Sequence, residues 1–223
     1  MIKAIFYKEW IKTRWYFLAM FISSISITIY TLLKIGRVIT FKGADHLWAI
    51  MLTRENTFIE QIAYLPIICG ILLAVTQFVP EIVQKRLKLT LHLPYSNQKM
   101  ILFMVLAGFM QLFIIYMLQC AIIIFYVNST LPIELITRML LTATPWFLAG
   151  LTSYLFTAAI CIEPTWKMRI INMLLMCGIL RIFYLIDTPE AYNSMLLPFS
   201  IITIMYFTLS IRSALRFKEG YQD

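Results

Sequence analysis

Long apolar runs separated by short charged loops dominate this chain. Stretches free of Asp, Glu, Lys and Arg extend over 15–33, 61–80, 100–133, 139–162 and 191–211. Each is close to or above the ~18–20 residues that carry a helix across about 30 Å of hydrocarbon. A sixth stretch, 170–186, is interrupted only by Arg181. In lipid such runs must be helical, because hydrocarbon offers backbone groups no other hydrogen-bond partner. The strand alternation of a membrane barrel does not occur. The pattern predicts an all-α membrane protein. Its single transmembrane domain, 1–223, holds six transmembrane helices at 15–35, 59–79, 98–127, 135–162, 169–187 and 191–212.

Two amphipathic segments flank these spans. In 1–14, Ile2, Phe6 and Trp10 share a helical stripe while Lys8 and Lys12 point elsewhere, with Glu9 near the apolar edge. This predicts an N-terminal interfacial helix on the inner leaflet, or else a short basic tail that only sets topology. The basic start is broken by Lys8, Glu9, Lys12 and Arg14 and has no small-residue cleavage site, so it is expected to stay in the mature protein. Between the second and third spans, Val83, Leu87 and Leu91 share one face of 80–94, and Gln84, Lys85, Arg86 and Lys88 fill the rest. Pro80 suits a helix start and Pro94 a stop. A short cytoplasmic helix of this kind suits docking a soluble partner, and a basic loop that merely sets orientation is the alternative.

Composition agrees. The hydrophobic fraction is 61% and the charged fraction 13%, against about 45–50% and about 25% in soluble domains. The net charge of +8 is concentrated on one side of the six-span layout, which carries thirteen of the nineteen basic residues. This distribution points to membrane topology and not to nucleic acid. Basic loops are retained in the cytoplasm on insertion, so both termini are expected inside an inner (cytoplasmic) membrane. Without the fifth span, Arg212, Arg216 and Lys218 would lie outside.

Candidate chemistry is sparse. The four cysteines lie in apolar runs without ligand spacing, so no metal site or disulfide framework is expected. The thirteen methionines read as gap-fillers between helices, not copper ligands. Ser24, Thr28 and Thr31 share a face of the first span, and Gln111 and Gln119 lie near one face of the third. These fit helix packing or a polar path, with the amides directed into the bundle. Arg181 either snorkels or pairs with Asp187 or Glu134, or it lines a path. Thr188, Pro189 and Glu190 read as the cap and first turn of the sixth span, which Pro198 is expected to bend. A short helix around 47–52 and a polar turn at 128–130 complete the reading.

The order Phe6-Tyr7-Lys8-Glu9-Trp10 before the first span, then Glu81, Arg86, Thr90, Leu91, Leu93, Pro94 and Ser96 after the second, with Lys99 opening the third, resembles the permease subunit of an ABC transporter of the ABC-2 type. Leu89 stands where family members commonly carry glycine. The resemblance implies an exporter subunit that works as a dimer with itself or a related permease. Its coupling helix, through Glu81, Lys85, Arg86, Lys88, Thr90 and Pro94, would dock on a cytoplasmic ATPase, with Phe6, Lys8, Glu9 and Trp10 of the interfacial helix nearby. ATP and Mg would be bound by that partner, since the chain has no Gly-x-x-x-x-Gly-Lys-Ser/Thr loop and no cofactor of its own is expected. A non-transporting anchor or sensor is the alternative. An intramembrane enzyme is less favoured, because His46 and His92 lie on opposite sides and no convergent acid–base group is visible.

Overall fold

The computed structural model describes residues 2–43, 58–91, 96–128, 131–186 and 188–219. Among them all regular structure is helical. The elements are α1 (Ile2–Lys42), a 3-10 turn (Glu60–Ile62), α2 (Leu65–Val83), α3 (Arg86–Leu91), α4 (Asn97–Val127) and α5 (Ile133–Ile162), followed by α6 (Trp166–Ile182), a second 3-10 turn (Asn193–Met195), α7 (Leu196–Met205) and α8 (Phe207–Glu219). The anticipated helix at 47–52, with His46, Trp48 and Arg54, lies outside the described residues, as do His92, Pro94, most of the 128–130 turn and Asp187.

Five stretches are long and apolar enough to cross a bilayer: Ile2–Phe41, Glu60–Val83, Asn97–Val127, Ile133–Ile162 and Asn193–Glu219. The weak fifth span is the exception, because α6 has only 17 residues. It packs on α5, and its two ends come close to the two ends of α2. Its first turn shares a groove with Val79, Val83 and Cys161 near the end of α2. Beyond its last turn, the Tyr184 hydroxyl donates to the carbonyl of Ala63 at 2.7 Å, and the Tyr184 ring stacks on Tyr64 at 5.1 Å. The chain therefore traverses the bundle six times, and five traverses qualify as membrane spans by length and composition.

α5 is the central helix, with 78% of its span window buried. It packs most extensively on α2, and small residues allow the close approach. A Cβ on Gly70 would collide with the Gly150 carbonyl and Ser153 Oγ, and one on Gly150 would meet Tyr116 Oη and Pro66. Tyr116 Oη also donates to the Pro66 carbonyl at 3.0 Å, stitching α4 to the start of α2.

α1 departs from the expected interfacial helix followed by a separate span. It is one helix of 41 residues, or about 60 Å at 1.5 Å per residue. No Gly or Pro occurs before Gly36, and the helix ends at Gly43, in the left-handed region at φ 84° with its N–H bonded to the Ile39 carbonyl at 2.9 Å. Its first turns pack into the bundle instead of lying flat on a leaflet. The buried stripe runs through Glu9, Thr13, Met20, Ser24, Thr28, Thr31 and Ile35, and is mostly polar, while Trp15, Leu18, Ile22, Ile29 and Leu33 face outward. In lipid that inversion is favourable: apolar side chains are at home in hydrocarbon, and hydroxyls find partners only inside.

Two proline readings are also corrected. Pro80 lies inside the last turn of α2 and does not open a loop helix. The helix continues to Val83, and the chain then turns at Lys85, which adopts φ 55°. The expected 80–94 helix is thus an extension of α2 followed by a six-residue α3. The sixth traverse begins at Leu196, after a turn stapled by Tyr192, whose hydroxyl donates to the Ile182 carbonyl at 2.8 Å and accepts from the N–H groups of Leu185 and Ile186. Pro198 fits the first turn of α7, and the interruption falls at Tyr206.

Candidate functional site

The first turns of α1 and the last turn of α2 meet in a network of buried charge. Glu9 and Glu81 are both fully buried. Lys12 Nζ lies 2.7 Å from Glu9 Oε2 and 3.0 Å from Glu81 Oε1. Lys8 Nζ lies 2.9 Å from the same Glu81 oxygen and 3.8 Å from Glu9 Oε1. Two carboxylates and two ammonium groups make the cluster neutral, which is the condition for tolerating charge away from water.

The network continues through neutral groups. Gln77, one turn before Glu81, donates from Nε2 to Glu9 Oε2 at 3.0 Å and to the Met104 carbonyl at 2.8 Å. Its Oε1 accepts from the Tyr154 hydroxyl at 2.7 Å, whose proton is shared with the Val105 carbonyl at 2.9 Å. Both N–H groups of the Gln77 amide and one lone pair of its oxygen are thereby used. Gly108 makes room, since a Cβ there would collide with Tyr154 Oη and Gln77 Oε1. One turn further along α1, Thr13 Oγ1 lies 2.9 Å from the Glu9 carbonyl and accepts from Gln111 Nε2 at 2.9 Å. The network therefore joins α1, α2, α4 and α5.

A second charged contact lies at the same end of the bundle. Arg216 of α8 meets Glu163 at 3.1 Å, and Arg169 Nε donates to the Glu163 carbonyl at 2.7 Å. Arg169 also lies over the Trp166 ring, 5.2 Å from its centroid. The first turn of α1, the loop helix and the last turn of α8 thus share one end.

The structure sorts the residues anticipated at this end. Glu81, expected as a polar contact for a partner, faces inward, because Lys8 and Lys12 neutralise it there. Glu9 is likewise interior. Phe6 is half-buried and Trp10 exposed, its ring 5.3 Å from Phe17. Lys85 and Arg86 are exposed on either side of the α2–α3 turn. Thr90 folds back to the carbonyls of Leu87 and Arg86 at 2.8 and 3.1 Å. Leu87 is fully buried and pins α3, leaving Leu89 73% exposed.

The polar positions of the spans are occupied by helix–helix contacts. Gln119 Nε2 donates to Thr28 Oγ1 at 3.0 Å. Ser24 Oγ and Cys69 Sγ lie 3.6 Å apart, and Thr31 Oγ1 donates to Gln61 Oε1 at 3.4 Å. Arg181 is exposed on the last turn of α6, and no ion pair joins it to Glu134.

Gln77, Lys12, Thr13 and Tyr154 were not singled out from sequence as site residues. The usable signal was Gln77 and Glu81 at i, i+4 on an otherwise apolar helix, opposite Glu9, Lys12 and Thr13 on another. Polar groups at helical spacing in a span call for partners.

Chemically, the arrangement holds and aligns. Among the described residues no group of three or more His, Cys, Asp or Glu is placed to bind a metal ion. Comparison with protein-family models, curated proteins and solved structures finds no match for this chain.

Proposed function

We propose that the chain is the membrane-spanning permease subunit of an ATP-driven transporter of the ABC-2 exporter type, with both termini and α3 on the cytoplasmic side of the inner membrane. The observation that carries this is the construction of the α2–α3 turn. Leu87 anchors α3, Lys85, Arg86 and Leu89 stay exposed, and the root of the turn is tied to α1 through Glu81. A partner pressing on α3 displaces the end of α2, and the ion pairs pass that displacement to α1. Coupling of this sort needs nucleotide states that favour different arrangements of the spans.

The positive end of the molecule supports the orientation. The partner is a separate cytoplasmic ATPase that binds ATP and Mg, and a second permease copy or a related permease completes the translocating unit. Arg86, Lys85 and Leu89 form the docking face on this reading, and Glu81 acts behind it as a positioning residue.

Affinity purification of the tagged chain with its ATPase tests the proposal. The Arg86→Glu/Leu89→Glu variant is expected to lose the ATPase while keeping the melting temperature of the parent. An ATPase retained by that variant overturns the docking face. ATP-dependent movement of cargo in proteoliposomes separates a permease from a non-transporting anchor, which would recruit the ATPase and move nothing.

A further inference from the structure

At the end of the bundle opposite the ion-pair network lies a cavity of about 430 Å³. It sits between the 3-10 turn before α2, the third and fourth turns of α5 and residues 184, 186, 188 and 190–192 of the connection that follows α6. Glu60 and Glu190 contribute carboxylates to its wall, and Tyr64, Trp146, Tyr184 and Tyr192 contribute rings. Among the described residues the lining contains no Lys, Arg or His.

Three of the hydroxyl donors on this wall are committed elsewhere. The Tyr184 hydroxyl proton goes to the Ala63 carbonyl at 2.7 Å. That of Tyr192 goes to the Ile182 carbonyl at 2.8 Å. Thr142 donates to the Arg138 carbonyl at 2.7 Å, and its oxygen accepts the Glu190 N–H at 3.3 Å. The described lining therefore combines two acidic side chains with four aromatic residues and no cationic one. Tyr64 and Tyr184 stack at 5.1 Å with 12° between their planes, which fixes the two rings against each other in the wall. Glu60 and Tyr64 are exposed, so the cavity opens to solvent.

Among the described residues of the lining an anion finds no counter-charge, and a neutral apolar ligand gains nothing from the carboxylates. A compact organic cation satisfies both elements, because ring faces attract positive charge and carboxylates neutralise it. We infer that this cavity is a binding site for an organic ammonium ion, held between Glu60, Glu190 and the four aromatic rings. The site stands on the cavity's own chemistry and is independent of whether an ATPase docks at the other end.

Titration calorimetry on the purified chain in a neutral detergent tests this, with choline as the probe, 3,3-dimethylbutan-1-ol as its uncharged isostere and sodium chloride as the inorganic arm. Choline is expected to bind on the order of tenfold or more tighter than the isostere or sodium. Glu60→Gln and Glu190→Gln are each expected to weaken choline by a similar factor. Glu134→Gln, a carboxylate at the same end but outside the lining, is expected to leave it unchanged. Melting temperatures of all variants report whether the fold is kept, and Glu60, being exposed, supplies a variant that does not disturb packing. Equal affinity for choline and its isostere overturns the inference, as does absence of choline binding by the parent. So does an equal loss in Glu134→Gln, which would mark a general surface-charge effect.

Discussion

Lys12 and Glu81 are 69 residues apart in the chain and 3.0 Å apart in the structure. The same ammonium reaches Glu9 at 2.7 Å, so one lysine bridges two fully buried carboxylates. Removing Lys12 leaves two buried carboxylates with Lys8 alone to neutralise them. Lys12→Met is therefore expected to destabilise the protein by about 3–5 kcal/mol. Thermal melting in detergent reads this out, and a melting temperature unchanged from the parent would show that Lys12 carries no such burden. The triple change Glu9→Gln/Lys12→Met/Glu81→Gln should be less damaging than Lys12→Met alone, since it removes both carboxylate charges together with Lys12.

Tyr154→Phe removes only the hydroxyl that the Gln77 amide and Val105 carbonyl share. Leaving the buried Gln77 Oε1 without a donor is expected to cost about 1–3 kcal/mol. Gly108→Ala should cost at least as much by forcing Tyr154 and Gln77 apart. If the two effects arise at one contact, Tyr154→Phe will partly relieve Gly108→Ala. Strict additivity in that double-mutant cycle would place them at separate sites.

The Gln119–Thr28 bond links α4 to α1 within the span. Hydrogen bonds between helices in membranes average only ~0.6 kcal/mol, because the unfolded reference also finds partners. Thr28→Val should lower stability by about that amount, well below the effect of Lys12→Met. A loss as large as that of Lys12→Met would contradict this ranking.

Arg181 lies exposed on the last turn of α6, where a cation faces the negative end of the helix dipole. Arg181→Ala is expected to change stability by less than about 1 kcal/mol. On the proposed permease reading, transport is also expected to be unchanged at equal protein level, whereas a substantial loss of transport would assign Arg181 to a polar path.

Orientation is open to direct labelling. In a cysteine-free background, Ser96→Cys and Pro132→Cys place exposed thiols at opposite ends of α4 and α5. A membrane-impermeant maleimide applied to intact cells should label the thiol at 132 and spare the one at 96. The reverse pattern would invert the proposed topology.

Much of the architecture was legible in the run lengths, because a helix in lipid is dictated by apolar length and by the lack of other backbone partners. The inward direction of Gln111 and Gln119 was legible for the same reason. Helix ends were less so. Pro80 looks like a start in isolation, yet the last turn of α2 persists past it with Glu81 paired to Lys8 and Lys12. Glu81 itself illustrates the limit. A carboxylate beside a basic loop reads as exposed until the lysines of another helix are placed against it.

By itself, then, the sequence determined a helical membrane protein with long apolar spans separated by charged segments. Those properties depend on composition and local length, which the solvent acts on residue by residue. The tertiary structure alone decided that α1 packs its polar stripe inward, that Glu9, Glu81, Gln77 and Tyr154 form one network, and that acidic and aromatic groups enclose a cavity at the opposite end. These are relations between distant segments. They arise only when close packing, permitted at Gly70, Gly108 and Gly150, brings the helices near enough for side chains to neutralise and satisfy one another.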